Sequence, residues 1–303
     1  MKVLISGATG MVGTALSEEL RDAGHEITTL SRSKPSSSDT ARWDPSRRSM
    51  DSSRLEGHDA VVHLAGESIA GSNPVTERWT PQKKNRIMES RRQGTAFLAE
   101  TLAKLSDKPK VLVSASAVGY YGDRGNELLR EDSGPGSGFL AEVCKVWEAS
   151  ADAAREAGIR VVHPRIGIVL STKGGALGTT LPIFKLGGGG KIGSGNQFWS
   201  WVALDDLVGA IRHAIENDAV EGPVNVGSPN PMTNAEYTKV LGDVLGRPTL
   251  FPLPAPAARL MLGEVADALL LASARMEPAK LEETDYQFRH PELAGALRHI
   301  LGR

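Results

Sequence analysis

Cysteine is almost absent from this 303-residue chain. Cys144 is the single one, which rules out an internal disulfide and any zinc site built from several thiolates. The seven histidines are scattered with no HExxH among them, so no metal site is expected. No GxSxG elbow occurs, which removes the main support for a serine hydrolase. Charge of one sign is missing too. Thirty-five basic side chains against 36 acidic ones leave a net −1, with no excess to draw in nucleic acid or an anionic membrane surface. Long apolar runs are lacking: the most apolar stretch, 260–274, is broken by Glu264 and Asp267 and is too short to span a bilayer. Strand-like residues from position 2 leave no room for a signal peptide, so a cytoplasmic location is expected. What remains is 40% hydrophobic, 23% charged and rich in glycine, with 33 of them. This is the composition of a globular α/β chain long enough for one large domain or a core domain with a smaller attachment.

The most informative stretch is 2–32, KVLISGATGMVGTALSEELRDAGHEITTLSR. Val3, Leu4 and Ile5 form a short apolar run of buried-strand type. Gly7, Gly10 and Gly13 follow at three-residue spacing, a helical pattern (Ala15, Leu16, Leu20) starts inside them, and a second strand-like run, 27–30, comes after Gly24. A glycine turn lets backbone N–H groups approach a pyrophosphate, and a helix N-terminus adds partial positive charge. Strand, glycine triplet, helix and second strand together predict a dinucleotide site. Its contacts are expected from Gly7, Thr9, Gly10, Met11, Val12 and Gly13. In units that bind NAD, an acidic residue ends the second strand and holds the ribose diol. Here Ser31 and Arg32 follow Leu30, and a hydroxyl and a guanidinium suit a 2′-phosphate that a carboxylate would repel. NADP(H) is therefore expected, with NAD the poorer fit.

Strand-like runs recur at 3–5, 27–30, 60–64, 111–113 and 159–162, with helical patterns at 13–23, about 82–105 and 139–157. Such alternation predicts a doubly wound parallel sheet covered on both faces. Residues 34–40 are Ser-rich and read as a surface loop, Gly174–Gly195 is dense in glycine, and its run Gly187–Gly190 with Lys191 reads as a mobile surface loop, compatible with a lid over a cleft. Within that stretch, Gly187–Gly190 and Lys191 fail as a phosphate loop, because Ile192 stands where Ser or Thr would hold magnesium. The expected organisation is a dinucleotide-binding domain over 1–170 with return segments near 201–228. Residues 171–303 would form a smaller mixed or helical cap.

Together these residues resemble the extended short-chain dehydrogenase/reductase superfamily, which carries a Rossmann fold. The resemblance rests on GATGMVG (7–13), HLAGES (63–68) and VLVSASAVGYYGD (111–123). WVALDDLV (201–208), NVGSPNPMTNAEY (225–237) and PAKLEETDYQFRHPELAGAL (278–297) are more specifically similar to its epimerase-family, sugar-nucleotide-epimerase-like subgroup, some members of which carry a cell-division-inhibitor label. The superfamily's chemistry uses an asparagine, a serine, and a tyrosine four residues before a lysine that lowers its pKa. By resemblance Ser116 is the serine and Lys145 the lysine, but Ala141 stands at the tyrosine and Arg91 at the asparagine. Arg91 is implied to face the cofactor phosphates and Lys145 to hold the nicotinamide ribose. The backbone of Leu64 and Ala65 would border the adenosine ribose, Gly66 would be a further cofactor contact, and Arg165 and Val169 would lie near the nicotinamide. Asp44 could meet the adenine amine or form an Asx turn before Pro45. Tyr120 and Tyr121, just beyond Ser116, are the candidate substitute phenols, with Glu67 and Glu142 behind them; Cys144 is a poor donor. Trp199 and Trp201 could line the substrate side, and Ala203 replaces a subgroup histidine.

The expected function is an NADP(H)-binding, epimerase-like oxidoreductase without the usual tyrosine, acting on an unidentified small molecule. A non-catalytic, NADPH-responsive binding protein and a nucleotide-sugar epimerase are the alternatives. A homodimer is the expected assembly, as in extended reductases, with no nucleic acid or membrane partner.

Overall fold

A computed structural model describes residues 1–33, 39–69 and 78–303. β1 (Lys2–Ser6) runs through the glycine turn into α1 (Met11–Asp22) and back to β2 (Glu26–Ser31), which lies parallel beside β1 with Val3 opposite Ile27. β3 (Thr40–Asp44) continues the sheet in parallel, and β4 (Ser49–Met50) ends that edge antiparallel. On the other flank of β1 comes β5 (Ala60–His63). Then follow α2 (Pro81–Ala103), β6 (Val111–Ser114), β7 (Ser116–Ala117), β8 (Leu128–Leu129), α3 (Phe139–Ala149), α4 (Asp152–Glu156) and β9 (Arg160–Ile166). β10 (Ile168–Leu170), α5 (Gly175–Lys185), β11 (Phe198–Trp199), β12 (Trp201–Ala203), α6 (Leu204–Glu216) and β13 (Gly222–Val226) follow in turn. The chain closes with β14 (Met232–Thr233), α7 (Asn234–Leu245), α8 (Ala255–Leu262), a π-turn at Ala266–Leu271, β15 (Arg275–Met276), α9 (Ala279–Glu283) and α10 (Leu293–Leu301).

The main sheet has the order β13-β9-β6-β5-β1-β2-β3-β4, with β7 also on β9. Its central strands are buried on both faces, as parallel strands between two helical layers must be. Val3, Ile5, Val62, Val113 and Val162 pack under α1 and α6. Leu4, Val61, Leu112 and Val161 face Phe97, Leu98 and Leu102 of α2 and Ala154 of α4. A separate core joins α5, α7 and α10 through Leu181, Trp199, Trp201, Leu241 and Leu297. Local chemistry sets the boundaries. Thr80 caps α2 by accepting from Lys83 N at 3.2 Å, with Pro81 at the first helical position. Thr233 and Glu236 form a capping box on α7, which ends at left-handed Gly246.

The doubly wound sheet is the one expected. Three details differ. The edge strands β3 and β4 lie where only a loop and a turn were anticipated; of the Ser-rich stretch, residues 34–38 lie outside the described ones. The helix expected over 139–157 breaks at Ser150 and Ala151 into α3 and α4. The glycine run 187–190 is no free loop: it follows α5 directly, and Phe251 N donates to Gly189 O at 3.2 Å. A Cβ at Gly190 would sit 2.1 Å from Phe251 O, so glycine serves close backbone packing there.

Candidate functional site

The glycine turn lies at the C-terminal edge of β1. Gly7 has φ +74°, and a Cβ there would come within 2.9 Å of Ala65 N and of Leu64 C. A Cβ on Gly13 would sit 2.2 Å from Gly7 O. Gly7 therefore lets the turn close against the 64–65 backbone, and Gly13 lets α1 pack onto the turn itself. Gly10 is different: the one neighbour a Cβ would meet is Gly7 O, at 3.4 Å, and both Thr9 and Gly10 are exposed at the crest. α1 starts at Met11 with Val12 and Gly13 behind it, without a side-chain cap and without an acidic residue in its first turn. Its leading amides have no acceptor within the helix. That is a cradle open to an anion. Ser31 and Arg32 end β2 at the same edge of the sheet, Arg32 exposed, with no carboxylate at that strand end. Asp44 makes the Asx turn: its Oδ1 accepts from Ser46 N, Ser46 Oγ and Arg47 N at 3.1, 2.6 and 3.3 Å.

Beside this cradle, four neighbouring strands carry a buried polar row. Ser6 and His63 are register partners, as are His63 and Ser114, and His163 follows on β9. Ser6 Oγ and His63 Nδ1 share a hydrogen bond of 2.6 Å, and His163 Nδ1 donates to Ser114 O at 3.2 Å. Burial first, and the Arg91 charge second, lower the His63 pKa to about 4. Arg91 donates to Glu67 O at 3.0 Å and Ile87 O at 3.1 Å, and its guanidinium lies over Trp147 at 4.6 Å. It also rests against Gly66, where a Cβ would come within 3.4 Å of Arg91 Cζ.

Next to Arg91 opens a cleft of about 430 Å³. Its floor is the 117–119 turn and Ile166–Ile168. One wall is α3 (Phe139, Ala141, Cys144, Trp147), and the other is Phe198, Trp199 and the π-turn. The backbone of Leu64 and Ala65 lies against Gly7 of the glycine turn, whereas the expected catalytic set does not assemble in the cleft. Lys145 is a correction. The buried stripe of α3 runs through Ala141, Val143, Cys144 and Trp147, so Lys145 falls on the outer face and its Nζ pairs with Glu142 at 2.9 Å. With no phenol at 141, nothing draws it inward. Ser116 is buried behind the cleft, its Oγ donating to Glu148 Oε1 at 2.7 Å. Arg165 is also turned away. It grips Glu148 through Nε and Nη2 at 2.9 and 3.0 Å, donates to Tyr121 Oη at 2.9 Å, and stacks on Tyr120 at 3.5 Å. Burial opposes its charge, but the Glu148 carboxylate outweighs this and raises its pKa.

Tyr121 is fully buried, 2.7 Å from Asn225 Oδ1, and burial pushes its pKa up to about 12. Neither Tyr120 nor Tyr121 lines the cleft, and the other two tyrosines, 237 and 286, lie in other cores. Val169 packs into the α1–α6 core; Ile166, Gly167 and Ile168 face the cleft in its place. Glu67 is tied to Lys83 at 2.8 Å, and that bond leads in holding its pKa below the usual carboxylate range. Cys144 lines the cleft but is buried, which pushes its thiol up to about 11. Trp199 does line the cleft; Trp201 is core. Glu148, Trp147 and Phe139 were missed. Glu148 lies seven residues after Ala141 and four after Cys144, so helical spacing puts it on the same face of α3 as these two. Away from the cleft, Asp205, His290 and His299 bring three potential ligand atoms within 4.8 Å of one another, a grouping that scattered positions in the sequence did not reveal. A hydrogen bond of 2.7 Å from His299 to Asp205 accounts for it without a cation.

A sheet order with β1 at the centre, a glycine turn at its edge and an adjoining cleft define an NAD(P)-binding α/β protein of Rossmann type. A model of the NAD dependent epimerase/dehydratase family matches residues 3–227, and a domain of unknown function, DUF1731, matches 253–300. Epimerase family protein Mb2239 of Mycobacterium bovis is 38% identical over 301 residues, covering 99% of this chain and 98% of that protein. The crystal structure of human epimerase family protein SDR39U1 (isoform 2) with NADPH is similar at TM-score 0.90 and 37% identity, covering 100% of this chain and 99% of that one. A nucleoside-diphosphate sugar epimerase from Corynebacterium glutamicum gives TM-score 0.82 at 39% identity, with 100% of this chain matched to 58% of that one. The chain belongs to the NAD dependent epimerase/dehydratase family. Among the described residues no helix is long and apolar enough to cross a membrane.

Proposed function

We propose that this protein binds NADP(H) and acts as an epimerase-like oxidoreductase whose cleft lacks the family's phenolic acid. The observation that carries the reading is the open cradle at Gly10 and the uncapped first turn of α1, with Ser31–Arg32 in place of an acid at the end of β2. The human relative's crystal structure with NADPH supports the same cofactor here. When bound, the cofactor supplies or accepts hydride. The chain's own part is to seat the pyrophosphate on α1, to place Arg32 at the 2′-phosphate, and to hold Arg91 over Trp147 at the phosphate side of the cleft. Proton delivery is where this cleft is poor. Removing one good general acid costs about 10² to 10⁴ in rate. Slow turnover is expected on carbonyl substrates that ordinary family members reduce briskly.

The division of labour follows: residues 1–170 with the returning 201–228 segments hold the dinucleotide, and 171–303 cap the cleft. A second reading, a cofactor-responsive binding protein without turnover, is favoured by Lys145 lying on the outer face of α3 and Ser116 giving its hydroxyl to Glu148. In either case the protein would work in the cytoplasm, and a homodimer is its proposed assembly. The test is thermal. NADPH at 100 times its dissociation constant should stabilise the fold by about 2.7 kcal/mol, with a much smaller shift from NADH. Arg32→Ala should weaken NADPH selectively. Equal shifts from both cofactors, or none from either, would sink the proposal. NADPH consumption with a carbonyl panel then separates the two readings.

A further inference from the structure

Resting on that reading, we infer that the cleft takes an uncharged, largely apolar carbonyl compound, an aromatic or alicyclic ketone or aldehyde, and not a nucleotide sugar. The argument starts from charge. A nucleotide sugar brings two phosphates, which proteins hold with guanidinium or ammonium groups or with several helix N-termini. The cleft's described lining contains one cation, Arg91, and three carboxylates, Asp123, Glu264 and Asp267. Arg91 is already engaged with two carbonyls and the Trp147 ring. The cations nearest the acids are committed to them: Lys84 pairs with Glu264, and Arg259 with Asp267 at 2.9 Å. A diphosphate entering here would leave water to face three carboxylates, with Arg91 the one cation among the described lining residues.

The rest of the lining fits a flat apolar body. Phe139, Leu140, Val143, Trp147, Phe198 and Trp199 surround the space, and no tyrosine or histidine interrupts them among the lining residues. Such a wall suits ring stacking and apolar burial. One oxygen can still be satisfied. α3 opens at Gly138 with no side-chain cap, and Gly138 to Ala141 line the cleft, so its leading amides can receive a single carbonyl oxygen. That turn is where Ala141 replaces the family's tyrosine, so it offers dipoles to the oxygen but no transferable proton.

The test uses the full chain, with and without saturating NADPH. 1-Tetralone and UDP-glucose are titrated separately by calorimetry and by ligand-observed NMR. In the NADPH-loaded protein, tetralone should bind at least about tenfold tighter than UDP-glucose, a margin that one uncompensated phosphate charge exceeds. Leu140→Asp, at a half-buried wall position, should weaken tetralone at least about tenfold with NADPH binding unchanged. UDP-glucose binding as tight as tetralone, tetralone binding in neither state, or tetralone binding untouched by Leu140→Asp would each overturn the inference. Absent NADPH binding would overturn the cofactor reading instead, and the tetralone arm without NADPH would still decide the cleft's preference.

Discussion

His63 closes β5 with its ring fully buried between Ser6 and Trp43, where water cannot stabilise a second proton. Its pKa falls from the ordinary 6.5 to about 4, so the folded chain keeps it neutral while the unfolded chain protonates it. The sign follows: stability is complete above pH 6.5 and drains as pH falls towards 4, by up to about 3 kcal/mol if fully expressed. His163, buried in the same row, shifts the same way. Melting temperature should therefore drop between pH 7 and 5, before most carboxylates titrate, and His63→Asn should flatten much of that slope. A wild-type profile as flat as the variant's would count against the buried neutral ring. Tyr121 makes a second case at this scale. Its hydroxyl joins Asn225, Arg165 and Arg130 O, so Tyr121→Phe should cost about 1–3 kcal/mol in a urea melt while leaving NADPH affinity unchanged. Tyr120→Phe, which keeps the ring under Arg165, should stay within about 0.5 kcal/mol. A selective loss of turnover in either variant would restore a catalytic phenol. Ser116, Tyr121 and Arg165 were legible as candidates through the family resemblance of the motifs around them. Their orientation was not, because Glu148, a side chain from another element, aims Ser116 and Arg165, and Arg165 and Asn225 in turn hold the Tyr121 hydroxyl.

At the scale of elements, the glycine turn was legible almost residue by residue, because strand, turn and helix are contiguous and their chemistry is local. The three glycines nevertheless do different jobs. Gly13→Ala would drive a Cβ into Gly7 O at 2.2 Å, and should unfold or strongly destabilise the β1–α1 unit. Gly10→Ala meets that carbonyl at 3.4 Å and should fold nearly as the wild type does, yet it places a methyl where the pyrophosphate would lie. Circular dichroism melts and NADPH titrations of the two variants should thus separate: stability lost in one, affinity lost in the other. Affinity retained by Gly10→Ala would remove the open cradle as the phosphate seat. α3 was legible as a helix but not in its facing. A four-residue spacing puts Lys145 near Ala141 on a helical wheel, yet the apolar stripe through Val143, Cys144 and Trp147 rotates the buried face past it. β3 and β4 escaped notice because short edge strands owe their existence to a neighbour, here β2, more than to their own pattern.

For the whole molecule, the least legible feature is how the C-terminal segment is fastened to the sheet, since it joins residues more than eighty positions apart. Asp206, at the start of α6, is 1% exposed and accepts from Arg289 N at 2.6 Å and His290 N at 3.0 Å. Around it, Tyr286 Oη donates to Asp206 O at 2.9 Å, and Arg289 Nη2 reaches Glu19 of α1 at 2.7 Å. Tyr286 fits against α6 only because position 209 is glycine: a Cβ there would lie 2.5 Å from its hydroxyl. One buried carboxylate thus joins the segment before α10 to the helix layer under the sheet. Asp206→Ala leaves two buried amides without an acceptor and should cost on the order of 3 kcal/mol. Asp206→Asn keeps one acceptor oxygen and should cost less. Because the lost bonds all restrain 286–291, trypsin should cut the Ala variant at Arg289 or Arg298 under conditions where the wild type is intact. If Ala and Asn variants melted together with the wild type and resisted trypsin equally, the fastening would have to lie in the α7–α10 packing and not in this carboxylate.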